Sequence, residues 1–298
     1  MLSFPPPLAV YLVLSLGAGW WVYGDAIAHG LAGGRALSWA AGTVLLLAAV
    51  LPAYLVFGRP PQRDAGVWGL GEVVGGVGAV FVLGLIVIQL FQLNSARLPD
   101  LATGIVLQEL VMILIVAYVV LSRYRLPLTS IGVRGGGLRL VWLGAGLSLL
   151  SIPLSTLAEQ VAMEIAGMVV GPVQAQRMND YEHAIVPIDR ILRGAAGADE
   201  IALIIVLICV VVPVAEEVFF RGFAYGAMRA RWHRTVAVIV SAAFFAAVHL
   251  QIIHFLPIFA LGVVLAYAYE RTGSLLPAVV IHGINNLVAV LVTLRSTG

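Results

Sequence analysis

The chain has 298 residues, 61% of them hydrophobic and 11% charged, with a mean hydropathy of +1.02 and a formal net charge of +2. A soluble globular chain is nearer half apolar and a quarter charged, so the composition excludes a soluble domain and indicates a polytopic membrane protein. The small net charge, carried without lysine and without any polybasic run, argues against a nucleic-acid partner, and a single cysteine excludes an internal disulfide framework.

A spanning helix needs about 20 mostly apolar residues. Runs of that kind lie near 8–26, 37–57, 72–93, 102–122 and 138–158, then near 201–230, 235–250, 255–270 and 275–294. The expected fold class is an all-α transmembrane bundle of eight or nine spans. Segments 235–250 and 255–270 are short enough to form a tight or re-entrant hairpin. The N-terminal run lacks a basic stretch before it and continues into Trp20 and Trp21, so it reads as a retained span rather than a signal peptide. Residues 159–200 form the longest polar insertion, rich in Glu and Asp, and are expected to hold a surface helix or loop outside the hydrocarbon. The chain divides into N-terminal helices of unassigned role, 1–137, and a C-terminal helical core, 138–298, that includes the polar insertion. Cys209 lies in an apolar run and reads as a small buried hydrophobe.

Arginine bias gives the orientation. With nine spans, one side receives Arg59, Arg63, Arg123, Arg125, Arg134, Arg139, Arg229, Arg231, Arg234 and Arg271. The other receives Arg35, Arg97, Arg177, Arg190, Arg193 and Arg295. The excess places the N-terminus in the cytoplasm, with the chain in the cell (plasma) membrane.

Within the apolar run from Ile201 stands "AEEVFFRG", residues 215–222. A charge at mid-bilayer costs roughly 2.5–3.5 kcal/mol on insertion scales, so three in six residues need an account. Glu217 and Arg221 are four apart and share a helix face, where each lowers the other's insertion cost. Glu216 is turned about 100° away and is left without a local counter-charge. A structural ion-pair cluster explains Glu217 and Arg221; an uncompensated intramembrane carboxylate more often faces a cavity and does work. Glu72 and Glu109, in upstream segments, read as an interface residue and a structural hydrogen-bonding residue.

Downstream, "FFAAVH" pairs Phe245 with His249 and "HGINN" pairs His282 with Asn286, each at helical spacing. If the chain turns through "RWHR", Glu216 lies 14 residues before Ala230 and His249 lies 14 residues after Thr235. Both then sit about 21 Å from the turn and can meet across an antiparallel pair. A carboxylate in a dry pocket acts as general base on water, a His positions that water or protonates a leaving amine, and a His with an Asn amide stabilises an oxyanion. Glu, His, His and water equally suit tetrahedral zinc, and an intramembrane Glu and His also build proton relays in transporters.

"EEVFFR", "FAAVH" and "HGINN" resemble the EExxxR, FxxxH and HxxxN signatures of the CPBP family of intramembrane proteases. That family includes type II CaaX prenyl endopeptidases, bacteriocin-processing and self-immunity proteins, and Abi-type proteins. The resemblance covers about residues 200–290. It implies that Glu216 is the base, His249 its partner, and His282 and Asn286 the oxyanion donors, with Glu217, Arg221 and Phe245 in support. The implied partners are the lipid bilayer and a membrane-associated or lipidated protein or peptide substrate. No cofactor is favoured; if zinc is bound, its ligands are Glu216, His249 and His282. A non-proteolytic scaffold or immunity protein of the same fold is the alternative.

Overall fold

The computed structural model describes residues 6–61, 66–94, 97–185 and 197–297. Among these the chain is all-helical, with no strand, and it is an integral membrane protein. Seven helices are long and apolar enough to cross a bilayer: α1 (Pro6–Ala28), α4 (Leu70–Phe91), α5 (Leu98–Arg123), α6 (Gly137–Val170), α8 (Ala198–Arg229), α10 (Phe255–Thr272) and α11 (Leu275–Thr297). The shorter elements are α2 (Gly33–Leu45), α3 (Leu47–Gly58), α7 (Pro172–Ile185) and α9 (Arg234–Val248).

Two expected spans differ in form. The run 37–57 is not one helix: it breaks at Leu46, whose φ/ψ of −134/60 lies outside the helical region. The break folds α3 back so that Val50 lies over Gly42, where a Cβ would stand 3.1 Å from it. The 235–250 run forms α9, whose 15 residues reach about 22 Å, short of a hydrocarbon core about 30 Å thick. His249, its C-cap, therefore lies within membrane depth rather than at the far surface. Conversely α6 overshoots. Its 34 residues span about 51 Å, so the turns bearing Glu159 and Glu164 project beyond the bilayer and lead into α7. Arg63, Arg190 and Arg193, with the end of the polar insertion, lie outside the described residues.

Three apolar clusters hold the bundle. The main core joins α4 and α5 to α8, α9, α10 and α11, with Phe219, Phe223, Phe245, Leu265 and Ile281 all nearly inaccessible. A smaller cluster packs Ile204, Leu207 and Ile208 of α8 against Val290 of α11. A third, of Val22, Ala26, Ala36, Tyr54 and Leu55, belongs to α1–α3. There Asp25 receives Tyr54 Oη at 2.6 Å and Arg59 Nη2 at 2.7 Å. The outer faces of the long helices carry exposed Trp20, Leu114 and Leu149, as lipid contact requires.

The two ends of the bundle differ in charge. At one end, Arg59, Arg123, Arg134, Arg229 and Arg231 close the helix termini: Arg123 donates to the Val56 carbonyl, Arg231 to Ala227, and Arg229 to Glu270. Glu72 belongs here. It caps the first turn of α4 through the Gly69 amide and accepts from Tyr124 Oη at 2.8 Å, so it sits at interface depth yet is buried by protein. The opposite end carries Glu159, Glu182, His183 and His254.

Candidate active site

Helix α8 places the charged motif, and its backbone is irregular on both sides of the two glutamates. Wide, π-type turns run through Leu207–Val211 and Val218–Tyr225. Such turns recur at functional sites because they rotate side chains out of helical register. Pro213, lacking an N–H, leaves carbonyls about one turn earlier without a helical donor. Helix α11 meets that gap. Asn286 Nδ2 donates to the Ile208 carbonyl at 2.8 Å, and Gly283 lies against Cys209, where a Cβ would come within 2.5 Å of its carbonyl oxygen. Pro213 on α8 and Gly283 and Asn286 on α11 thus form one packing device that fixes how closely the two helices approach.

The i, i+4 ion pair is present: Arg221 Nη1 donates to Glu217 Oε1 at 2.9 Å, with both side chains fully buried. His282 Nδ1 lies 2.9 Å from the same Oε1. An ionised carboxylate only accepts, so Nδ1 carries a proton and the imidazole presents Nε2 to the other side. That Nε2 stands 3.8 Å from Glu216 Oε2. The Arg221 guanidinium lies over the Phe245 ring, 4.2 Å from its centroid, and Phe245 makes T-shaped contacts with both His249 and His282. A desolvated cation–π contact of this kind contributes about 2 kcal/mol. The Phe of the FxxxH motif is therefore the ring against which the cation and both imidazoles pack.

Glu216 has the opposite surroundings. Its Oε2 has no hydrogen-bond partner, and its side chain lines a cavity of about 280 Å³ together with His249. The remaining wall is mainly apolar, from Val77, Val80, Phe81, Leu85 and Ile88 of α4 with Phe219 and Phe220 of α8. His249 is held by Nδ1 donating to the Phe245 carbonyl at 2.7 Å, so its Nε2 is the nitrogen left to act. His282 and Asn286 are not in the cavity wall. They stand behind the glutamates, one on Glu217 and one on the Ile208 carbonyl.

Of the α5 contribution, the sequence marked Glu109 only as a structural residue and did not mark Gln108 or Met112. Gln108 and Met112 line the cavity, and Glu109, 4% exposed, lies close enough to Glu216 for their charges to repel. The hydrogen bond expected for Glu109 is not made by Oε2, which has no partner. Asn285, adjacent to the motif asparagine, was also unmarked; it ties α11 to α6 through Ser151 Oγ at 2.7 Å. Nothing in a single sequence distinguishes these polar residues from others in apolar helices.

Glu216, His249 and His282 do not fit a zinc centre as placed. Among the described residues, the three-residue group whose ligand atoms all lie within 4.8 Å of one another is Glu159, His183 and His254.

Residues 198–288 match the family described as type II CAAX prenyl endopeptidase Rce1-like. The chain is also similar to a Bacillus subtilis (strain 168) protein named "Putative membrane peptidase YdiL", at 29% identity over 95 residues. That match covers 32% of this chain and 39% of the relative, so the chain spans about two fifths of the relative's length. No solved structure matches it significantly. The CPBP resemblance carried by the three motifs thus stands over the segment that holds α8 to α11.

Proposed function

We propose that this protein, CPBP-like over its C-terminal third, is an intramembrane endopeptidase that hydrolyses a peptide bond of a membrane-associated or lipidated protein. The observation that carries the reading is that Glu216, whose Oε2 accepts no hydrogen bond, and His249 share the wall of a mainly apolar cavity at membrane depth. In that setting Glu216 takes a proton from water as the oxygen attacks the scissile carbonyl. His249 Nε2 accepts from the water and orients it. The proton taken up by Glu216 then passes through Nε2 to the leaving amine, which returns Glu216 to the carboxylate and His249 to the neutral ring. His282 donates its Nδ1–H to Glu217, so it can donate from Nε2 to an oxyanion only when that nitrogen also carries a proton. Asn286 uses one amide hydrogen on Ile208 and keeps a second for the oxyanion. The apolar α4 wall suits an apolar or lipidated segment of substrate.

The mechanism proposed needs no metal at the glutamates. Using Glu216 as a ligand would remove the base from the site, whereas the metal-free scheme gives Glu216, His249, His282 and Asn286 each a role. Comparing protein termini in cells carrying wild type or Glu216→Ala tests the activity. Termini present only with wild type are expected. Identical termini, with both proteins at equal level, favour the scaffold or immunity reading. Orientation follows the same proposal: the arginine-rich end faces the cytoplasm of the plasma membrane. A cysteine introduced at Arg231 should react with cytoplasmic thiol reagents and one at Asp180 should not; the reverse pattern would overturn it.

A further inference from the structure

We propose that Glu159, His183 and His254 form a second site, one that binds a divalent transition metal of the zinc class at the acidic end of the bundle. The three residues come from three elements: Glu159 from the projecting turns of α6, His183 from α7, and His254 from the position preceding α10. Their ligand atoms all lie within 4.8 Å of one another, and the two imidazole rings meet edge to face at 4.9 Å. A tetrahedral centre with bonds of 2.0–2.2 Å sets ligand atoms about 3.3 Å apart. Metal binding would close that difference by side-chain rotation, and His183 is the exposed member of the three.

A second observation points the same way. Glu182, 6% exposed, accepts the His254 ring at Nδ1 over 2.8 Å and the backbone amides of Ile252, Ile253 and His254. That carboxylate fixes the ring and its tautomer, so Nε2 carries the lone pair. Carboxylate–histidine pairs orient imidazole ligands in this way in metal proteins. Two imidazoles and one carboxylate with an open fourth position suit zinc; magnesium and calcium require oxygen ligands. The site lies in the segment just after His249. That segment, 250–254, includes Leu250 at φ +56, in the left-handed region a branched residue rarely adopts. A bound metal would tie this strained stretch to α6 and α7 and so steady the cavity wall formed by Val248 and His249.

The test uses the full chain purified in detergent, stripped with chelator and equilibrated with Zn²⁺ alone. Bound metal is measured by elemental analysis and affinity by competition with a chromophoric chelator. One equivalent is expected in wild type and in the combined Glu216→Gln, His249→Ala, His282→Ala variant. His183→Ala and Glu159→Gln each weaken binding at least about 100-fold, the upper end of what loss of an outer carboxylate costs. Glu182→Gln weakens it by about 10–100-fold. His254→Ala is the less informative change, since it also removes the partner of Glu182. Wild type that retains no more zinc than His183→Ala overturns the site. Zinc lost in the combined variant but kept in His183→Ala overturns it too, and places the metal at the catalytic glutamates instead.

Discussion

Two neighbouring regions of α8 treat adjacent glutamates in opposite ways. Around Glu217 the charges close on one another in a buried cluster: Arg221 and His282 both lie 2.9 Å from Oε1, while Oε2 and two guanidinium nitrogens of Arg221 have no hydrogen-bond partner. Around Glu216 the wall is mainly apolar and a cavity opens. One residue of rotation separates a tie that holds α8 to α11 from a carboxylate with space in front of it. The difference teaches that adjacent charges of one residue type are told apart by what lies opposite each side chain.

The largest effect that would break this contrast is on Glu216. Glu216→Gln should lower cleavage by about 10²–10⁴-fold, the range that general-base catalysis supplies, with the thermal midpoint close to wild type. Activity within threefold of wild type would remove Glu216 from the chemistry. Glu217→Gln should do the reverse. It leaves Arg221 buried beside a neutral amide, and breaking a buried pair from one side costs about 3–5 kcal/mol. A lower midpoint and poor folding yield are expected, measured by scanning fluorimetry in detergent. Equal stability of the two variants would erase the distinction drawn here.

Asn286→Ala sharpens the contrast between packing and chemistry, because the structure shows the packing contact and the proposal adds an oxyanion contact. Loss of the Ile208 hydrogen bond alone costs about 1 kcal/mol. Loss of an oxyanion donor lowers kcat by about 10²–10³-fold. A stability loss without a kcat loss would assign Asn286 to packing only.

Glu182 gives a pH-dependent version. Burial opposes its charge, but the His254 side chain and three backbone amides outweigh burial and hold the carboxyl below its ordinary range. A lowered folded-state value means the stabilisation is complete above the ordinary carboxylate range and is lost as pH falls through the lowered value. Hydrogen exchange of the Ile252 and Ile253 amides should therefore quicken only on strong acidification. The smallest effect belongs to the arginine-rich surface. Arg229 is 45% exposed in its pair with Glu270, so Arg229→Gln should cost less than about 1 kcal/mol and leave cleavage unchanged.

Much of this organisation was legible beforehand, for identifiable reasons. Apolar length marks spans because the bilayer sets a minimum, and this located α1, α4, α5, α8, α10 and α11. The i, i+4 rule gave the Glu217–Arg221 pair from spacing alone, since both residues lie on one helix. Failures came where another element decides. The 37–57 run is apolar enough to span, yet it bends at Leu46 because α3 finds a surface over Gly42. Helix α6 continues past its apolar run because polar turns outside a bilayer remain helical, which hydropathy does not register.

The sequence by itself determined an all-helical membrane chain, the ordered motif set and the local pairing on α8, all of which depend on residues near one another in the chain. Only the tertiary structure decided that α4 supplies the apolar wall of the cavity at Glu216, that Asn286 meets the carbonyl region loosened by Pro213, and that Glu159, His183 and His254 converge. Those facts join side chains from different helices. Side-chain spacing along one helix fixes direction within that helix, whereas the meeting of two helices depends on small residues such as Gly283 and on backbone irregularities that set how closely and in what register they pack.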